Sequence, residues 1–238
     1  MMVLSRWWMP PILTYHRIGE PKGDHVPTVS LESFEQQLTW MARHRYRVLS
    51  LEEHVEQMGR GEPLGRRRAV ITFDDGYEET ATCAAPLLRR FGFPATVFVA
   101  PTEIGQPHFM TWDQLQAIAQ DGFLVGSHTL RHLYLPLASR EQITDELIES
   151  KQILERRLGK SVDLLSYPIG GFTPEIQTIA RTSGYRAACT TNRGISRTAR
   201  DVFALRRIKM TERDRSPIRL RAKLSGYYDL FRRLEPPD

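Results

Sequence analysis

Residues 69–100 read AVITFDDGYEETATCAAPLLRRFGFPATVFVA, and three elements are legible in them. Ala69–Phe73 is a continuous apolar run of the kind that forms a fully buried strand. Tyr77–Phe91 reads as a helix closed by Gly92, and Ala95–Ala100 is a second apolar run. Strand, helix and strand in succession imply parallel strands, because a helix is the usual way back to the start of the next one.

The alternation continues in both directions. Upstream, Ile12–Tyr15 is a strand, and Leu31–His44 is a helix with Phe34, Leu38 and Met41 at helical spacing behind Ser30 or Ser33. Arg47–Leu49 is a short strand, Ser50–Glu53 a capping box, and Gly59–Arg68 a polar loop. Downstream, a second capping box at Thr111–Gln114 opens a helix that stops at Gly122, and Phe123–Gly126 is a strand. A long helix follows Ser139, with Ile143, Leu147, Leu154 and Leu158 on one face and Gly159 after it. Leu164–Tyr167 is a strand, Thr173-Pro174 opens a helix that ends at Gly184, and Ala187–Thr190 is the last clear strand. No repeat, low-complexity linker or Pro/Gly-rich hinge interrupts the series. The pattern predicts one α/β domain across residues 1–238, a parallel sheet covered by helices, as an open doubly wound sheet or a barrel.

Composition narrows the function classes. The 238 residues are 41% hydrophobic and 26% charged, enough to bury a sizeable core. The net charge of +5 is uneven: residues 181–238 hold 15 Lys+Arg against 6 Asp+Glu, and the rest hold 18 against 22. A mildly acidic body with a basic last quarter argues against a nucleic-acid wrapper. Cys83 and Cys189 are too few for a thiolate metal site or a disulfide framework and read as reduced thiols. No apolar run approaches the roughly 20 residues of a membrane span. Arg6 interrupts the stretch where a signal peptide needs apolar residues, so a cytoplasmic location is expected.

The residues that follow the strands carry the chemistry. They are His16, then Asp74 and Asp75, then Ser127 and His128 with His132 four further on, then Pro168-Ile169-Gly170-Gly171. Parallel sheets and barrels place their sites at the carboxyl ends of strands, so these groups should share one rim. Asp75-Gly76 alone could be a turn, but two adjacent carboxylates repel unless a cation or proton intervenes. Seven histidines give only about 0.2 pairs four residues apart by chance. Asp75, His128 and His132 together form a carboxylate–imidazole–imidazole set suited to a catalytic divalent cation, zinc by default and cobalt or nickel by the same donors. Asp74 then stands beside the cation's water as a base.

Thr72-Phe73-Asp74-Asp75-Gly76 and His128-Thr129-Leu130-Arg131-His132, in this order, resemble the first and second motifs of the polysaccharide deacetylases, the carbohydrate esterases with a NodB homology domain. The resemblance covers roughly Ile12 to Met210 and implies a distorted (β/α) barrel of about seven strands. It implies Asp74 as the catalytic base, and Asp75, His128 and His132 as the metal ligands. The third motif departs: Ser166-Tyr167-Pro168-Ile169-Gly170 has Ser166 where the family has Arg and Ile169 where it has an aromatic residue. The Arg that orients the base is therefore expected to be missing. The resemblance implies an oxyanion donor at the Ile169 N–H, with Tyr167, Pro168 and Gly170 beside the substrate. No Asp-rich fourth motif and no Leu-x-His is found near the C-terminus.

Tyr15-His16-Arg17-Ile18, Val29–Phe34 and Tyr46–Leu51 are similar to the poly-N-acetylglucosamine deacetylases, whose barrel is circularly permuted. That similarity implies His16 as the general acid. The expected substrate is an N-acetylated glycan or its lipid-linked precursor, with Tyr77, Trp112, Tyr134 and Tyr167 as candidate sugar platforms. A hydrolase of another C–N bond in a small amide, or a glycan-binding protein with a decayed site, are the competing readings. Leu220, Leu224, Tyr227, Tyr228, Phe231 and Leu234 recur among Arg219, Arg221, Lys223, Arg232 and Arg233. This basic amphipathic segment, about 216–238, reads as a docked helix or as a contact with anionic lipid. Nucleic acid is not expected as a partner, and the oligomeric state is left open.

Overall fold

A computed structural model describes residues 9–61, 65–191 and 201–228. In chain order, β1 (Ile12–Tyr15) leads to two short strands, β2 (Arg17–Ile18) and β3 (Thr28–Val29), and then to α1 (Leu31–Arg43). Next come β4 (Arg47–Leu49), α2 (Leu51–Gly59), β5 (Arg68–Phe73), α3 (Ala85–Phe91), β6 (Thr96–Val99) and α4 (Trp112–Gln120). The second half contributes β7 (Leu124–Ser127), α5 (Arg140–Leu158), β8 (Leu164–Ser166), α6 (Pro174–Thr182), β9 (Ala187–Thr190), β10 (Leu205–Lys209) and α7 (Pro217–Lys223).

Seven strands close a parallel barrel. β5 through β10 pair in sequence order, and β1 completes the ring between the two ends. It pairs with β5 from Ile12↔Val70 to Tyr15↔Phe73 and with β10 from Ile12↔Arg207 to Thr14↔Lys209. β4 branches off the first half of β5, from Arg47↔Arg68 to Leu49↔Val70. The barrel form of the fold is thus realised, with the closing strand drawn from the start of the chain.

Local chemistry sets the elements. Ser30 and Ser50 accept the N–H groups of Ser33 and Glu53, while Thr111–Gln114 and Ser139–Gln142 form complete capping boxes. The helix expected over Tyr77–Phe91 instead begins with a π turn at Thr80–Ala84. Pro86 has no N–H to donate four residues back, and the Ala85 N–H reaches Thr80 O, five residues back. β10 falls beyond the last strand expected from sequence. Three cations in its five residues mask it, and one of them points into the barrel.

The lower interior of the barrel is apolar, with Ile12, Val70, Phe98, Leu164, Cys189 and Leu205 packed together. α2 closes its amino end with Leu51, Val55 and Met58. Arg68 at the foot of β5 donates to Gln57, and Arg186 at the foot of β9 donates to Glu52, so the helix lies across that end. Gly126 leaves space for the Phe98 ring, which a Cβ there would meet at 2.5 Å. Cys83 and Cys189 are free thiols. α7 docks Leu220 and Leu224 into the outer core and leaves Arg219 and Arg221 in solvent. Phe231 and Leu234 of the expected amphipathic segment lie outside the described residues.

Candidate active site

Backbone strain marks the carboxyl-terminal rim. Among the described residues, seven other than glycine have positive φ, and four of them are Asp75 (71°), Thr129 (64°), His132 (56°) and Ile169 (57°). Left-handed backbone is unfavourable for residues with a Cβ, and most of all for a β-branched one such as Ile169. Gly76 completes the turn after β5 at φ +84, where a Cβ would stand 2.9 Å from Val99. The loops that carry the expected site are thus bent against local preference.

Asp75, His128 and His132 come together as expected. Both Nε2 atoms lie 3.4 Å from Asp75 Oδ1, and the three ligand atoms fall within 4.8 Å of one another. The His128 Nδ1–H donates to Ser166 O at 2.7 Å, which leaves an Nε2 lone pair on the neutral ring. Two imidazole lone pairs facing one carboxylate oxygen repel unless a proton or a cation lies between them. The donor set therefore fits a divalent cation. Burial would raise the Asp75 carboxyl, but where a proton on His128 takes the cation's place, that charge holds it below the ordinary carboxylate range.

Asp74 is oriented after all, from a strand that the motif does not include. The Arg207 guanidinium on β10 grips it with two bonds of 2.6 Å, from Nη1 to Oδ1 and from Nη2 to Oδ2. Arg207 also donates to Ser166 Oγ at 2.7 Å and to Thr72 Oγ1 at 3.2 Å. The expectation of a missing Arg is corrected here. A serine at 166 leaves the volume that a guanidinium arriving from β10 fills. Burial alone would raise the Asp74 carboxyl, yet Arg207 and His128 hold it far below the usual carboxylate range. The sequence signal for Arg207 was the small residue at 166 together with an Arg-rich stretch two strands away.

His16 sits at the end of β1. Burial lowers its pKa against the pull of Asp74 and Asp75, and its buried Nδ1 has no hydrogen-bond partner among the described residues. The third-motif loop is a tight turn after β8. Gly170 N–H donates to Tyr167 O, Thr190 Oγ1 donates to Gly170 O at 2.6 Å, Pro168 is buried, and Ile169 is 73% exposed. Tyr167 is corrected as a substrate contact: its ring is fully buried against Phe172, and its hydroxyl donates to Phe203 O. Among the other aromatics, Tyr77 stacks on Phe109 beneath the Arg17 guanidinium, and Arg157 covers Trp112. Tyr134 keeps an exposed edge and packs against Gly171, where a Cβ would meet its ring at 2.3 Å.

Comparison with known proteins agrees with the barrel fold. The sequence profile of the family described as polysaccharide deacetylase matches residues 61–188. YxkH of Bacillus subtilis (strain 168), whose name assigns it to the polysaccharide deacetylases, is 30% identical over 201 residues, 84% of this chain and 71% of its own length. The poly-beta-1,6-N-acetyl-D-glucosamine N-deacetylase of Staphylococcus aureus (strain MSSA476) is 27% identical over 173 residues, and the match spans 59% of that protein's length. Among solved structures, Streptococcus pyogenes deacetylase PplD in complex with acetate superposes with a TM-score of 0.83 at 28% identity. That match covers 90% of this chain and 97% of the other.

Proposed function

The chain belongs to the polysaccharide deacetylase family, and we propose that it removes the N-acetyl group of an N-acetylglucosamine-type sugar, in a polysaccharide or its lipid-linked precursor, releasing acetate. The meeting of Asp75, His128 and His132 beside a base held by Arg207 carries this reading. A divalent cation on those three ligands, zinc first and cobalt or nickel by the same donors, would polarise the acetamide carbonyl and acidify water there.

The chain's own residues divide the remaining work. Arg207 occupies one lone pair on each Asp74 oxygen and the Thr14 hydroxyl approaches Oδ2 at 3.4 Å, so Oδ1 keeps a lone pair to accept the proton of the attacking water. The Ile169 N–H, on its strained and exposed turn, is the donor for the oxyanion. His16 gives a proton to the leaving nitrogen; against burial, the Asp74 and Asp75 charges favour its protonated form. Tyr134, the most exposed of the four candidate aromatics, is the sugar platform. We place the protein in the cytoplasm at the inner membrane face, where lipid-linked precursors are found, with the basic C-terminal segment as a peripheral contact.

Metal analysis paired with acetate release tests the assignment. Asp75→Ala and His128→Ala should lose bound metal and acetate release together. Asp74→Asn should keep the metal and lose turnover by about 10²-fold or more. Full turnover by Asp74→Asn would sink the assignment, and preference for small amides over N-acetylglucosamine oligomers would replace the sugar substrate.

A further inference from the structure

One carboxylate is buried where an amphipathic helix should be apolar. The inward face of α5 is Ile143, Glu146, Leu147, Ser150 and Leu154, and Glu146 is 1% exposed. An ionised group in such a place is unfavourable unless it is fully bonded. Its bonds all go to one short segment. Glu146 Oε2 accepts the N–H groups of Leu130 at 2.8 Å and Arg131 at 2.9 Å, and Oε1 accepts Arg131 Nη1 at 2.9 Å. That segment is the turn between His128 and His132, and it is left-handed at Thr129 and at His132.

The two imidazoles differ in their support. His128 is oriented through its Nδ1 bond to Ser166 O, as metal-bound histidines usually are. Among the described residues His132 has no such bond, and its ring meets Asp75 and the edge of the His128 ring. Its position therefore depends on the backbone that carries it. Glu146 holds that backbone from beneath, while Thr102 holds the other side by donating its N–H and hydroxyl to Leu130 O. One turn along α5, Ser150 Oγ lies 2.8 Å from Ser127 Oγ, which accepts the Thr129 N–H.

We propose that Glu146 is a positioning residue for His132: its buried charge holds the 129–131 turn in its strained shape and so sets the affinity and geometry of the cation site. This rests on the metal-dependent reading above. A glutamine at 146 keeps the shape but loses the charge that strengthens both backbone N–H bonds, so the turn would relax. Supporting partners of this kind typically change metal affinity 10- to 100-fold when removed.

The test uses metal-free wild type, Glu146→Gln, Glu146→Asp and Arg131→Ala, each titrated with Co²⁺ and Zn²⁺ against a competing chelator. The absorption spectrum of the Co²⁺ form, circular dichroism and thermal melts are recorded in parallel. Glu146→Gln should bind both metals about 10- to 100-fold more weakly and shift the Co²⁺ bands, with unchanged circular dichroism. Glu146→Asp keeps the charge but withdraws the oxygens, and it should show the same changes if Glu146→Gln does not fold. Arg131→Ala, which leaves both backbone bonds in place, should stay within about three-fold of wild type. Wild-type affinity and an unshifted Co²⁺ spectrum in the folded position-146 variants would overturn the proposal alone. Absence of binding by wild type would overturn the metal reading and this proposal with it.

Discussion

Asp74 and Arg207 lie 133 positions apart, yet they behave as one unit. Both are buried, and two parallel bonds join them. Removing one partner strands a charge in the barrel, at roughly 3–5 kcal/mol, whereas removing both does not. Arg207→Met should therefore lower stability by about that amount in urea unfolding and reduce turnover at least ten-fold. The double variant with Asp74→Asn should be more stable than Arg207→Met alone. Asp74→Asn will itself be destabilised, so its activity has meaning only where folding is verified. At this scale the sequence is most legible at Asp74, Asp75, His128 and His132, because short motifs encode them contiguously. Arg207 is hidden, since its partner is distant and nothing in Leu205–Lys209 says which cation turns inward. Tyr167 misleads for the opposite reason: its place in the motif suggests a rim contact, and packing makes it core.

Among the elements, α2 contains a histidine that its surroundings do not favour. His54 is fully buried, neither ring nitrogen has a partner among the described residues, and burial lowers its pKa to about 4. The folded protein holds this ring neutral, whereas the unfolded chain protonates it near pH 6.5. Its contribution is then intact above pH 6.5, declines as pH falls, and levels off near the folded value of about 4. The decline amounts to roughly 3 kcal/mol. Urea unfolding at pH 7.5 and pH 5 should show about 2 kcal/mol of this loss in wild type and a smaller loss in His54→Leu. The caps of α1, α4 and α5 are readable from sequence because a cap is a local bond between near neighbours. The π turn before α3 is not, because Pro86 is equally compatible with an α-helix that starts one residue earlier.

For the molecule as a whole, the basic last quarter resolves into separate parts. Arg207 pairs with Asp74 inside the barrel. Lys223 bonds the buried Asp214 at 2.6 Å, and Leu220 and Leu224 complete the outer core. Deleting residues 216–238 should therefore destabilise the barrel by several kcal/mol, since it uncovers a core surface and leaves Asp214 unpaired. Deleting 229–238 alone leaves those contacts in place, and it is the variant suited to liposome co-sedimentation. Loss of sedimentation with retained stability would support the lipid contact, and unchanged sedimentation would reject it. The α/β class is readable from alternation along the chain. Closure of the barrel is not, because periodicity describes each strand and says nothing about which distant strand lies beside it.

That closure has a consequence in time. Of the barrel strands, β1 leaves the ribosome first, and one of its two partners, β10, leaves last. Pairings such as Ile12↔Arg207 span nearly the whole chain, and contacts of such high sequence separation form slowly. Until they form, β1 presents an unpaired edge, and Arg207 has no carboxylate to meet. The same step that joins the strand edges brings His16, Asp74 and Arg207 to one rim. Closing the ring and pairing Arg207 with Asp74 are therefore a single event.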